Sequence, residues 1–109
     1  AATALLALGS ALMLSTPAHA ESYCREEINN RSPQSQGLLR LELFNVGSRR
    51  QRVYWLNYNG QRHFYAYLNP GEAYRGTSYY RHIWVITDGQ NNCTQIFHVG
   101  AQGVSMRVQ

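Results

Sequence analysis

The sequence predicts an all-β fold, a single β-sandwich of about seven short strands. Three observations predict it. Apolar and polar residues alternate with period two in short runs, Asn, Gly and Pro stand between those runs at hairpin spacing, and no stretch carries helical periodicity for longer than one turn. At 109 residues the chain has room for one domain and shows no internal repeat.

Residues 1–20 are set apart from that fold. Residues 1–14 are apolar, rich in Ala and Leu and uncharged, and Ala18-His19-Ala20 closes the segment with a small-x-small pattern. This is the apolar region and cleavage site of a secretory signal peptide, expected to begin inside the signal because a basic start is missing. A membrane anchor is the alternative, but fourteen apolar residues fall short of the roughly 20 that a bilayer needs. The expected mature chain is therefore secreted or periplasmic, and free of the membrane once the signal is removed.

Residues 21–37 read as a polar arm with one short helical turn near residues 25–28, and residues 38–109 as the sandwich. Leu39, Leu41 and Leu43 alternate with polar or aromatic neighbours, a half-buried strand with the leucines inward. Residues 45–51 form a polar loop. Residues 52–58 are the next strand, with Val53, Trp55 and Asn57 on one face and Tyr54, Leu56 and Tyr58 on the other. Asn59-Gly60 signals a hairpin. Residues 63–68 return, with Phe64, Ala66 and Leu68 alternating against Tyr65 and Tyr67. Asn69-Pro70-Gly71 suits a type II turn. Residues 72–80 read as a short strand or irregular edge broken at Gly76. Residues 82–87 are the clearest buried strand, with Ile83 and Val85 facing one way and His82, Trp84 and Ile86 the other. Residues 94–99 and 104–108 supply the last two.

Cys24 and Cys93 make an even pair in a small exported domain, where a structural disulfide is expected. It would tie the arm to a late strand and contribute about 4 kcal/mol in the chain-entropy model. A metal or redox role is disfavoured, since there is no C-x-x-C motif and two isolated cysteines do not fill a zinc site. No cofactor is expected. The ten basic residues are all Arg, the chain has no Lys, and the net charge is +4. The arginines are scattered except for Arg49, Arg50 and Arg52, which read as a solvated loop, so nucleic acid is not expected as a partner.

Ten of the thirteen aromatic residues crowd between Tyr54 and Trp84. Tyr and Trp combine a large apolar body with one polar tip, which suits a ligand groove as well as a core. His82 and Trp84, two residues apart, share a face; Tyr65 lies on the strand paired to that of Trp55; Ser78 stands four residues before His82 across a bend. Indoles, a phenol, a hydroxyl and an imidazole would form a small slot for a compact ring carrying one or two polar atoms.

Residues 45–88 resemble the β domain of the von Hippel-Lindau protein, the substrate-recognition part of a eukaryotic ubiquitin ligase. The likeness runs without a gap over residues 45–84, through W-L-N-Y-N-G, Tyr65, L-N-P-G at residues 68–71, Ser78-Tyr79 and H-I-W at residues 82–84, and then weakens to T-x-x-F at residues 94–97. The resemblance implies a pocket for 4-hydroxyproline within an extended peptide. Trp55 and Trp84 would form its walls, Ser78 and His82 would bond the ring hydroxyl, and Tyr65 would bond the peptide backbone. The family's helical second domain finds no counterpart in the sequence, so no elongin or cullin partner and no ubiquitin ligase role is expected.

The expected function is thus a secreted peptide-binding module for hydroxyproline- or proline-containing segments. The alternatives are a carbohydrate-binding module using exposed aromatics, and a structural or interaction domain without a pocket ligand. An enzyme is not expected. No nucleophile elbow surrounds Ser78, and Asp88 lies past the far end of the strand that follows His82. His63, His82 and His98 lack metal-ligand spacing.

Overall fold

The structure, a computed structural model, describes residues 24–109. The expected signal segment and the first residues of the arm lie outside the described residues. Among the described residues, seven strands follow one 3-10 turn, Arg25–Glu27. They are β1 (Leu38–Asn45), β2 (Gln51–Leu56), β3 (Arg62–Leu68), β4 (Ala73–Tyr79), β5 (Ile83–Thr87), β6 (Cys93–His98) and β7 (Val104–Val108). A three-stranded sheet runs in the order β4-β1-β7 and a four-stranded sheet in the order β3-β2-β5-β6. All pairings are antiparallel except β1 with β7, where Leu41 aligns with Val104.

Two clusters hold the layers. Between the sheets lie Leu41, Leu43, Val53, Leu68, Trp84, Ile86, Val99 and Val108. Leu41 and Leu43 come from alternate positions of β1 and are fully buried, each contributing about 2 kcal/mol. The second cluster, Cys24, Leu56, Ile83, Val85 and Cys93, lies on the outer face of the four-stranded sheet. The arm covers the part of that face around β5 and leaves the part toward β3 open. Cys24 and Cys93 form a disulfide with Cα atoms 5.8 Å apart, and Ser32 is buried, its Oγ accepting from Ile83 N at 2.9 Å. β5 is therefore buried on both faces, which is why it reads apolar throughout.

Asn45 ends β1 as a buried hub. Its Nδ2 donates to the carbonyls of Arg49 and Leu68, both at 2.8 Å, and its Oδ1 accepts from Gly47 N at 2.9 Å. Those bonds fix the loop after β1 onto the end of β3, where Gly71 at φ 82 and the Glu72 N to Asn69 O bond close the turn.

The structure departs from the expected elements at three places. β2 stops at Leu56, because Asn57 turns the chain: its Oδ1 accepts from Asn59 N and Gln61 N, both at 2.9 Å. Gly60 then takes φ 79, and a side chain there would meet Asn30 O at 2.7 Å, so the hairpin also seats the arm. In β3 the strict alternation fails at a β-bulge. Val53 pairs with Ala66 but Tyr54 pairs with Phe64, leaving Tyr65 without a partner in the register. Phe64 consequently faces outward with Tyr54, while Tyr65 turns inward beside Ala66. Finally, Gly76 does not break β4, which pairs with β1 continuously from Ala73 to Tyr79.

Candidate functional site

The site forms where the inner face of β4 meets the inner faces of β2 and β5. Tyr74, Gly76 and Ser78 pair with Leu43, Leu41 and Leu39, so period two puts all three on the side facing the other sheet. Across the gap Trp55 and Trp84 are directly opposed partners of β2 and β5. His82 sits in the turn before β5, its N–H donating to Tyr79 O at 3.1 Å and its carbonyl accepting from Val99 N at 2.9 Å. That turn depends on Arg81 at φ 70, a left-handed position uncommon for a non-glycine residue.

A cavity of about 410 Å³ opens between these elements, and Trp55, Tyr65, Ser78, His82 and Trp84 all line it. Tyr58, Tyr74 and Tyr79 line it as well. None of these three was singled out as a site residue from the sequence. For Tyr74 the signal was its spacing from Ser78, hidden by reading residues 72–80 as irregular. Ser78, His82 and Trp84 are 4%, 3% and 2% exposed and form the floor; Tyr65, at 46%, belongs to the rim. The bulge puts Tyr65 there, with its ring edge-on to Trp84 at 4.8 Å.

Each indole N–H is spoken for. Trp84 Nε1 donates to Ser78 Oγ at 2.8 Å, and Trp55 Nε1 donates to His82 Nδ1 at 3.1 Å. Because His82 accepts at Nδ1, a neutral ring carries its proton on Nε2. Among the described residues that buried Nε2 has no hydrogen bond of standard geometry. Burial pushes the imidazole below its ordinary pKa, with the Pro33 carbonyl of the arm pulling the other way. Burial also pushes the Tyr74 phenol up, helped by Tyr65. The floor is thus neutral.

The lone pair of His82 Nδ1 is held by Trp55, which leaves His82 only its Nε2–H to offer a further partner. Ser78 keeps its own O–H and a second lone pair. A further cavity of about 470 Å³ lies on the opposite face beside the disulfide, lined by Glu27, Ile28, Arg62 and Asn91 among others. Arg62 and Glu27 pair with each other there, so its charged groups are mutually satisfied.

The two-layer sandwich is a β domain, and its family makes it a protein-binding domain in general. The family model described as VHL beta domain matches residues 30–98, well over half of the chain, and the chain belongs to that family. No curated protein matches the sequence. No helix of the described residues is long and apolar enough to cross a membrane.

Proposed function

We propose that this domain is an exported peptide-binding module whose cavity takes a proline-derived ring, 4-hydroxyproline in preference to proline. The observation that carries the reading is the convergence of Trp55, Tyr65, Ser78, His82 and Trp84 on one cavity. A pyrrolidine ring is compact, has almost no rotors to freeze and packs well on indole. The two tryptophans supply the walls, and Tyr65 at the rim offers its hydroxyl to the backbone of an extended chain.

Selectivity would rest on Ser78. A proline seated in the slot excludes water from the Ser78 O–H and gives it no partner, which costs about 1–3 kcal/mol. That corresponds to a preference of about 5- to 150-fold for the hydroxylated ring. In this reading the site binds and performs no bond chemistry. His82 Nδ1 accepts from Trp55 rather than from Ser78, so the pair is not arranged as nucleophile and base.

Calorimetry with two extended peptides differing only in the proline 4-hydroxyl tests it. The hydroxylated peptide should bind with the preference given above; equal affinities, or no binding by either peptide, would overturn the reading.

A further inference from the structure

The face of β2 and β3 turned away from the cavity carries a second constellation. Tyr54, Phe64 and Tyr67 line up across it, with ring centroids 5.6 Å apart for the first pair and 5.0 Å for the second, both edge-on. Phe64 is 45% and Tyr67 49% exposed, more than a structural stripe needs. Three guanidinium groups lie among the rings. Arg50 stands 4.1 Å and Arg52 5.7 Å over Tyr67, while Arg62 stands 5.6 Å over Tyr54.

The charges there are unbalanced. Arg62 is paired with Glu27. Arg52, among the described residues, donates only to the neutral Asn91 Oδ1, at 2.7 Å. Among the described residues, neither Arg50 nor Arg52 has a carboxylate at ion-pair distance. Two like charges therefore stand over one ring, and an oxyanion placed between them would relieve their repulsion.

The rings narrow the choice of anion. A nucleic acid strand needs open ring faces for its bases to stack on, but guanidinium groups stand over Tyr67 and Tyr54. Phe64, without a cation over it, offers a surface to the C–H face of a sugar. From Arg62 to Tyr67 the strand covers five residue steps, about 16 Å, long enough for several linked sugars. We propose that this face binds an acidic polysaccharide, its carboxylate or sulfate groups seated on Arg50 and Arg52 and a ring packed against Phe64. The site is separate from the peptide cavity and does not rest on the reading given for it.

The test measures binding of the intact domain to heparin, polygalacturonate, neutral dextran and an oligothymidylate at one ionic strength. At least one acidic glycan should bind, and dextran should not. The Arg50→Gln/Arg52→Gln variant should weaken that binding at least tenfold, and Phe64→Ala several-fold, with near-UV circular dichroism confirming that both variants remain folded. Absence of acidic glycan binding, or binding indifferent to the arginine pair, overturns the proposal. Oligothymidylate binding as tight as that of the glycans overturns it in favour of a nucleic-acid face.

Discussion

Trp84 donates its indole N–H to Ser78 Oγ at 2.8 Å, and that single bond joins the two sheets at the floor of the cavity. β5 supplies the indole and β4 the hydroxyl. Both groups are buried, so each depends on the other to replace its water. Ser78 is therefore placed by the core, and its Oγ keeps an O–H for a further partner at the wall of the slot.

Ser78→Ala should act twice. Removing Oγ orphans the Trp84 N–H and should lower the unfolding free energy by about 1–3 kcal/mol, read from urea denaturation. The variant should also bind hydroxyproline and proline peptides equally, because the hydroxyl that distinguishes them is gone. A variant that kept the wild-type preference would assign that preference to another residue.

Gly76→Ala sets two effects against each other. Alanine suits a strand better than glycine by roughly 0.5–1 kcal/mol. Yet a Cβ at this position would stand 3.2 Å from Cε2 and Oη of Tyr74, tighter than ordinary contact. Tyr74 lines the cavity beside Trp84, with centroids 6.4 Å apart, and can give by turning into it. The strand preference should therefore win on stability, with Tm unchanged or slightly raised, while the displaced ring narrows the slot and weakens peptide binding by calorimetry. A marked fall in Tm would show that Tyr74 is held in place.

The frame of this fold was legible because its signals are local. Leucines at alternate positions of β1, Asn-Gly and Pro-Gly between runs, and an apolar β5 each follow from a few neighbouring residues. The five cavity residues were legible through the family resemblance; their alternation alone left the pocket open. What stayed hidden depends on contacts distant in sequence. The bulge at Tyr65 reflects pairing with β2, and no residue in His63-Phe64-Tyr65-Ala66 announces it. The occupation of His82 by Trp55 is set by the approach of a turn to a strand 27 residues earlier. Gly76 looked like a breaker because its real partner, the Tyr74 ring, lies beside it only once β4 is extended.

Asn45→Ala should be among the costliest polar substitutions in the chain. The side chain makes three hydrogen bonds, and its removal leaves the Leu68 and Arg49 carbonyls and the Gly47 N–H to find other partners. The Leu68 carbonyl bond is buried. A loss of about 2–4 kcal/mol is expected from thermal denaturation. An unchanged Tm would mean that solvent satisfies all three groups.

Stability should fall in mild acid through His82. Burial holds its folded pKa below the ordinary 6.5, so in the window beneath 6.5 the unfolded chain binds a proton that the folded chain does not. Its contribution is fully present above that window and is lost as the pH falls through it. Protonation at Nδ1 would also end its acceptance from Trp55. The unfolding free energy should accordingly be lower at about pH 5.5 than at about pH 7.5. In His82→Asn, which keeps an acceptor for the indole but does not titrate, that difference should shrink.

The arm should depend on its disulfide more than on its other contacts. Cys24 and Cys93 are 69 residues apart, and opening so long a loop costs about 4 kcal/mol in the chain-entropy model. Among the other ties are the approach of Pro33 to His82, the contact of Glu26 with His98, the Ser32 bonds to β5 and to the hairpin, and the exchange between Arg62 and Glu27. The last of these is partly exposed and contributes about 1 kcal/mol or less. The Cys24→Ser/Cys93→Ser variant should therefore lose about 3–4 kcal/mol. It should also fray locally before it unfolds. The Ile83 amide, which donates to Ser32 Oγ, should exchange faster with deuterium than the amides of β1. Release of the arm would draw Pro33 away from His82, so weakened peptide binding should accompany the faster exchange. If Ile83 stayed as protected as β1, the arm would be held by its own packing, and the cavity would keep its shape without the covalent tie.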